Sequence, residues 1–206
     1  MKKIILFASG NGTNAENIIR YFQQTGKDAV IAVISNSEKS AVLAKVESYN
    51  IPSFVFPKES FLTDKVLLIL QQLKPDLIVL AGFLLKFPLN IITAFPNKII
   101  NIHPALLPKY GGKGMYGLHV HQAVFDNREK ETGISIHYID EYYDNGDMIF
   151  QRSVSIERCK SAEEISAEVR KLEHRYFPQV IEKLLDYQET SHSLSSRVTI
   201  KIPDNQ

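Results

Sequence analysis

Two polar side chains interrupt an apolar run at IINIHPALLP, residues 99–108. Asn101 and His103 are two positions apart, so on a β-strand they point to the same face. An amide donates hydrogen bonds, and an imidazole exchanges protons near neutral pH, so the pair could stabilise and move charge. A lone histidine at a strand end is more often structural. The assignment therefore depends on what else meets this strand end.

A second candidate site is FASGNGTN, residues 7–14, between the first apolar run and the first helical pattern. Backbone N–H groups at a helix N-terminus favour a phosphate through hydrogen bonding and the helix dipole. A tight turn with a neighbouring polar side chain as the helix cap explains the pattern about as well. A dinucleotide is disfavoured, because position 15 is alanine and no acidic residue closes the second strand. The loop suits a single phosphate better.

Histidines and acidic residues later in the chain could, by type, hold a metal ion. The set is His103, His119, His121 and His137 with Asp140, Asp144 and Asp147. No familiar ligand spacing recurs, so ordinary histidines beside an acidic surface loop are the favoured interpretation, and no metal is expected. The GGKG at 111–114 lacks the flanking glycine and hydroxyl residue of a P-loop, so no triphosphate site is predicted.

Buried strand patterns alternate with helical ones from residue 3 to residue 103, which indicates right-handed βαβ units and a parallel sheet. In a sheet ordered 3-2-1-4-5, ligands bind where the carboxyl ends of strands one and four diverge. The loop at 7–14, the segment AGFLLKF at 81–87 and the strand end at Asn101 and His103 would all converge there. That convergence favours a functional role for His103 over a purely structural one.

The sequence pattern predicts fewer helices and strands in the second half of the chain. GISIHYI, 133–139, suits a half-exposed strand, and DMIFQRSVSI, 147–156, its partner. Residues 161–185 have a long helical pattern that opens with a Ser161–Glu164 capping box. VTIKI, 198–202, is a brief strand candidate. We expect one domain over 1–187 and a C-terminal tail over 188–206.

Composition excludes several classes of protein. The chain has 206 residues, 44% of them hydrophobic. Its net charge is +1, so the overall electrostatic field does not favour binding to nucleic acid or to an anionic membrane surface. The apolar run near the start is too short for a signal peptide, and Lys86 and Pro88 interrupt the most apolar later stretch. The single cysteine, Cys159, fits a cytoplasmic location.

The motifs SGNGTN, VISN, LAGF, NIHPALLPKY, H-x-H-Q-A and RKLEHRYFPQVI follow one another between about residues 2 and 185. With them the sequence resembles the phosphoribosylglycinamide formyltransferases of the folate-dependent formyltransferase superfamily. The resemblance implies a Rossmann-like α/β fold, with a mostly parallel, twisted sheet of about seven strands and helices on both faces. It implies transfer of a formyl group from 10-formyltetrahydrofolate to the amine of glycinamide ribonucleotide (GAR), in purine biosynthesis. No tightly bound cofactor is implied, and the protein would be a monomer or homodimer.

The resemblance also assigns residues. Catalysis falls to Asn101, His103 and Asp144, with His103 expected as an imidazolium whose pKa Asp144 raises. The ribonucleotide would contact Gly12, Thr13, Asn14 and Glu173. The folate would contact Lys58, Leu84, Leu85, Lys86, Phe87 and Asn101, although the arginine usual in this segment is absent. The glycine-rich loop at 110–118 is longer than usual, and we expect a mobile flap beside the cleft.

Three rival functions are weaker. A formyltetrahydrofolate deformylase would hydrolyse the same donor. Such an enzyme is expected to have an additional domain before its first strand, whereas the first strand pattern here begins at residue 3. A methionyl-tRNA formyltransferase needs an RNA-binding domain, for which 206 residues leave no room. A non-catalytic phosphate- or nucleotide-sensing module would use the loop at 7–14 but has no use for Asn101, His103 and Asp144 together.

Overall fold

The computed structural model describes residues 1–190 and 198–203, and a seven-stranded sheet forms its centre. The strand order is β3-β2-β1-β4-β5-β6-β7. The strands are β1 (Lys3–Phe7), β2 (Ala29–Ser35), β3 (Ser53–Val55), β4 (Leu77–Leu80), β5 (Ile99–His103), β6 (Glu131–Tyr138) and β7 (Met148–Ser155). Strands β1 to β5 are parallel, and β6 is antiparallel to both neighbours. The predicted order and the mostly parallel sheet are confirmed.

Helices cover both faces of the sheet, as predicted. They are α1 (Thr13–Thr25), α2 (Ala41–Glu47), a 3₁₀ helix (Lys58–Leu62), α3 (Lys65–Leu73), α4 (Leu89–Ala94), α5 (Leu118–Asp126) and α6 (Ala162–Thr190). In β1, Ile4 and Leu6 face a core shared with α1, α2, α5 and α6. Ile5 and Phe7 face the opposite core, shared with α3 and α4. Because successive side chains alternate between faces, one apolar strand serves both layers.

Strand β6 is not half-exposed, and that prediction was wrong. Every residue from Thr132 to Tyr138 is buried. The apolar set faces the core with α6. On the other face, Ser135 bonds the loop that follows β5, and His137 contacts Asn101 of β5. Ser135 Oγ, for example, donates to the carbonyl of Ala105 at 2.7 Å and accepts from Leu107 N–H at 3.0 Å. From Thr132 to Tyr138, the side chains of β6 therefore face an apolar core on one side and a buried polar layer on the other, and neither side faces solvent.

The C-terminal region differs in part from expectation. Half of the predicted capping box is present, since Ser161 Oγ accepts from Glu164 N–H at 3.3 Å. The Glu164 carboxylate accepts from Lys160 N–H at 2.8 Å, one residue before the predicted partner Ser161. VTIKI forms no strand, because only one backbone bond, from Ile200 N–H to the Ile149 carbonyl, joins it to β7 among the described residues. The rest of the predicted tail, 191–197 and 204–206, lies outside the described residues. In the part of the chain described, no helix combines the length and apolar character needed to cross a membrane.

Candidate active site

The loops after β1 and β4 meet the end of β5 at one edge of the sheet. Ser9 connects the first two of these loops, since its N–H donates to the Gly82 carbonyl at 3.0 Å and its hydroxyl accepts from Leu84 N–H at 2.9 Å. Parallel strands place their carboxyl ends at the same edge, so the three predicted segments converge there.

The loop after β1 leads into a helix that no side chain caps. Gly12 is the N-cap residue, with a φ of 67°, and the helix has no side-chain cap hydrogen bond. A Cβ at Gly12 would lie 2.3 Å from Val42 Cγ2 and 2.9 Å from Val42 Cα, so only glycine fits. The alternative of a turn with a side-chain cap is therefore wrong, and the first-turn N–H groups of α1 remain available to an anion.

Asn101 on β5 lies directly opposite His137 on β6. His137 Nδ1 donates to its neighbour's carbonyl, Tyr138 O, at 2.8 Å, so its Nε2 is an acceptor when the ring is neutral. Asn101 Nδ2 is 3.2 Å from that Nε2 and donates to it. An amide nitrogen carries two N–H groups, which leaves one on Asn101 for a substrate oxygen.

His103, two residues further along β5, is held from both sides. Its Nε2 donates to the Tyr110 carbonyl at 2.8 Å, so the proton that comes and goes on this ring is the one on Nδ1. Nδ1 lies 3.5 Å from Asp144 Oδ2. The other carboxylate oxygen of Asp144 is 3.6 Å from His137 Nε2, and Gly112 N–H donates to Oδ2 at 2.9 Å. Asp144 thus faces both histidines.

Burial decides the resting charge of His103. Burial lowers the pKa of His103, Asp144 and the Tyr110 carbonyl act to raise it, and the net direction is downward. The expectation of a raised pKa was therefore wrong, although Asp144 does act in the expected direction. Burial raises the pKa of Asp144, but His137, His103 and the Gly112 N–H outweigh burial, so its carboxyl titrates below its ordinary value. The pair rests as a neutral imidazole beside a carboxylate.

A cavity of about 580 Å³ joins the three segments. Of the predicted residues, it brings together Thr13, Asn14, Leu84, Leu85, Lys86, Phe87, Asn101, His103, Asp144 and Glu173. Gly12 does not line this cavity and supports it from behind through its contact with Val42. The extended loop after β5 also borders the cavity, with Gly112, Gly114 and Gly117 at positive φ. Its mobility remains a prediction.

The folate segment faces two adjoining cavities. Leu84 to Phe87 also line a neighbouring cavity of about 760 Å³, together with Tyr142 and Tyr143. Lys58 belongs to this second cavity and does not line the first. Lys86 Nζ lies 5.9 Å from the ring centroid of Tyr143, so a cation–π contact joins the segment after β4 to the loop that carries Asp144.

Glu173 on α6 faces the first turn of α1. Its carboxyl oxygen accepts from Asn14 Nδ2 at 3.0 Å. Burial raises the pKa of Glu173, although Asn14 and the charge of Arg170 oppose burial. The contact ties the end of the cavity beside α1 to α6.

Sequence reasoning missed three parts of this site. His137 and His121 were interpreted as ordinary histidines, yet His137 contacts Asn101 and Asp144, and buried His121 lines the cavity near His103. Burial, aided by the charges of His103 and Arg170, lowers the pKa of His121 to about 4. Tyr142 and Tyr143 were not considered at all. The alternation in GISIHYI was the available signal for His137, but the pairing of this strand with β5 was not predicted.

The described residues include no group of three or more histidine, cysteine, aspartate or glutamate side chains placed to hold a metal ion. His103 and His137 each lie beside Asp144 and bond a backbone carbonyl.

Comparisons with known proteins identify the family. Residues 2–181 match the formyl transferase family. A phosphoribosylglycinamide formyltransferase of Bacillus subtilis is 36% identical over 191 residues, 90% of this chain and 95% of the relative. A longer chloroplastic relative from Arabidopsis thaliana is 33% identical, and the match spans 64% of its length.

Solved structures agree with the sequence comparison. The phosphoribosylglycinamide formyltransferase of Bacillus halodurans superposes with a TM-score of 0.81 at 32% identity, covering 91% of this chain and 97% of that one. The Brucella melitensis structure of the same name has a TM-score of 0.81 at 33% identity, covering 95% and 99%. The chain belongs to the formyl transferase family.

Proposed function

We propose that this chain transfers the formyl group of 10-formyltetrahydrofolate to the amine of GAR, giving formyl-GAR and tetrahydrofolate. The observation that carries this function is one cavity with an uncapped helix N-terminus at one side and an amide, an imidazole and a carboxylate at the other. Membership of the formyl transferase family and the names of its relatives support the same reaction. The enzyme is a one-carbon transferase with a folate co-substrate and no tightly bound cofactor.

The two substrates enter from different sides. The ribonucleotide phosphate binds the first-turn N–H groups beside Gly12, Thr13 and Asn14, because an uncapped helix start favours an anion. Glu173, bonded to Asn14, then faces the glycinamide end. The folate lies along Leu84 to Phe87, which opens to the second cavity near Lys58.

Attack of the amine nitrogen on the formyl carbon moves the carbonyl π electrons onto oxygen. The tetrahedral intermediate has an oxyanion and a protonated amine. The free N–H of Asn101 donates to that oxygen, and a preorganised donor of this kind contributes roughly 3 kcal/mol to transition-state stabilisation. His137 holds the amide in place, since the other N–H is bonded to its Nε2.

His103 moves the proton. Because burial keeps the ring neutral at rest, Nδ1 accepts the proton of the new ammonium group. Asp144, 3.5 Å away, stabilises the imidazolium that forms. The proton then passes to the folate nitrogen as its bond to the formyl carbon breaks, and the oxyanion electrons restore the carbonyl. No bond to the enzyme forms in this sequence.

Release of tetrahydrofolate, followed by absorbance, tests this function. The protein is mixed with 10-formyltetrahydrofolate, with and without GAR. We expect release only with GAR present. Equal release without GAR would assign the protein to the hydrolytic deformylases, and no release under either condition would favour a phosphate-sensing module.

We further propose a single catalytic domain over 1–187 that acts in the cytoplasm as a monomer or homodimer, without nucleic acid or membrane. The near-neutral charge and the single cysteine support these assignments. Light scattering after size exclusion, with and without substrates, measures the oligomeric state.

A further inference from the structure

The three residues from Tyr110 to Gly112 contact both members of the His103–Asp144 pair. The Tyr110 carbonyl accepts from His103 Nε2 at 2.8 Å, and Gly112 N–H donates to Asp144 Oδ2 at 2.9 Å. A Cβ on Gly111 would lie 3.3 Å from Asp144 Cβ and 2.6 Å from a Leu107 methyl carbon. The segment therefore packs directly against the pair, and its position sets the orientation of both side chains.

Tyr110 holds an unusual backbone conformation. Its φ is 58°, in the left-handed region, where a residue with a Cβ is strained and needs support from its surroundings. That support comes from its side chain, because the ring packs against the core and the hydroxyl donates to Glu129 Oε1 at 2.8 Å. Glu129 is fixed in turn, since its N–H bonds the Val124 carbonyl at the end of α5.

We propose that Tyr110 and Glu129 are positioning residues, whose hydroxyl–carboxylate bond holds the Tyr110 carbonyl against His103 and the Gly112 N–H against Asp144. Neither side chain lines the cavity, so both act through the pair. The effect on turnover rests on the proposed function, whereas the effect on His103 does not.

The charges keep this bond intact at working pH. Burial and the Glu129 carboxylate raise the pKa of Tyr110 to about 12, so its hydroxyl remains a donor. The Tyr110 hydroxyl and Lys109 lower the pKa of Glu129, so its carboxylate remains an acceptor. The groups that face His103 itself are Asp144, His137, His121 and the Tyr110 carbonyl. Of these, the carbonyl depends on the Glu129 bond directly, and Asp144 depends on it through the Gly112 N–H.

The direction of the effect follows from the hydrogen bond to Nε2. A carbonyl that accepts from the ring favours the imidazolium, so a displaced Tyr110 carbonyl lowers the pKa of His103 further. The imidazolium that forms during proton transfer is then less stable. Tyr110→Phe, which deletes only the hydroxyl, is expected to lower kcat roughly tenfold, a size typical of small misplacements, with both KM values little changed.

Two measurements on the full chain test the proposal: steady-state kinetics, and NMR titration of the His103 ring. Tyr110→Phe and Glu129→Ala should move the His103 titration to lower pH and reduce kcat. Glu129→Gln keeps a carbonyl oxygen that can accept from the tyrosine hydroxyl. Its kcat and its His103 titration should therefore lie between those of the wild type and those of Glu129→Ala. Lys109→Ala is the matched control, because Lys109 bonds the same Glu129 oxygen at 3.0 Å from an exposed position and does not contact His103. It should leave both readouts unchanged.

An unchanged His103 titration in Tyr110→Phe would overturn the proposal, whether or not activity or thermal stability fell. An equal shift in Lys109→Ala would overturn it as well. If the wild-type protein lacked formyl transfer while Tyr110→Phe still moved the His103 titration, the positioning role would stand and the proposed function would fail.

Discussion

The polar side chains at one end of the cleft are buried or half-buried and bonded, whereas several large side chains at the other end are exposed. Asn101, His103, His137 and Asp144 form what we term the reacting corner, where His103 is 3% and His137 0% exposed. Leu84 to Phe87 with Tyr142 and Tyr143 form the donor wall. There, Leu84 is 50%, Tyr142 64% and Tyr143 43% exposed.

The difference separates catalysis from binding. In the reacting corner each ring nitrogen of His103 and His137 faces a named partner, so the groups are oriented before substrate arrives, which is where electrostatic catalysis gains most. The donor wall instead leaves apolar surface open for a ligand to cover. Changes in the corner should therefore act on kcat, and changes in the wall on the KM for the folate.

The largest effect is expected for His103→Ala. Loss of the group that moves the proton should lower kcat by a factor of about 10³, with the fold intact by circular dichroism. His119→Ala is the matched control, because His119 is exposed and does not line the cavity. A His103→Ala enzyme with near-normal turnover would contradict the role of the reacting corner.

Asp144→Asn should lower kcat by a factor of about 10², because the imidazolium loses the charge that stabilises it. The carboxylate acts to raise the pKa of His103, so its removal lowers that pKa further. Activity that needs a neutral His103 is lost as pH falls through this pKa, so the acidic limb of the pH–rate profile should move to lower pH. Asp126→Asn, an exposed control on α5, should leave the limb in place, and an unmoved limb in Asp144→Asn would count against the pairing.

Gly12→Ala tests the ribonucleotide side and should raise the KM for GAR by about tenfold, because the new Cβ meets Val42 and displaces the helix start. Gly26→Ala at the other end of α1 is the control. Gly26 has a nearly identical φ of 65°, but no atom lies within 4 Å of the position that an added Cβ would take. The substitution should therefore cost about 1 kcal/mol of stability without changing the KM for GAR. Equal effects on the KM for GAR would remove Gly12 from the phosphate site.

The smallest effect is expected on the donor wall. Leu84→Ala should raise the KM for the folate donor about threefold and leave kcat within about twofold, because only partly exposed apolar contact is lost. Leu68→Ala is closely matched, since Leu68 is 55% exposed on α3 and lines neither cavity. A larger loss in kcat than in the folate KM would erase the distinction between the two regions.

The sequence was sufficient to predict the parallel half of the fold. Continuous apolar runs and helical spacing from β1 to β5 are local signals, and they fix which strand ends share an edge. The predicted strand order 3-2-1-4-5 was enough to bring three segments together: the loop at 7–14, the segment at 81–87, and Asn101 with His103.

The rest depends on contacts between distant residues. The register of β6 against β5, which brings His137 to Asn101, leaves no local signal, and so the buried polar layer was taken for an exposed face. The resting charge of His103 was also mispredicted, because the depth of burial, unlike the presence of Asp144, could not be estimated from spacing. The bond between Tyr110 and Glu129 joins positions 19 residues apart and was not considered.

The fate of the formyl carbon tests the central claim most directly. Wild-type protein is supplied with 10-formyltetrahydrofolate labelled at that carbon, together with GAR, and the label is separated into formyl-GAR and formate. We expect the label in formyl-GAR, in step with tetrahydrofolate release, and almost none when His103 is replaced by alanine. Label recovered as formate at the same rate with and without GAR would contradict the account.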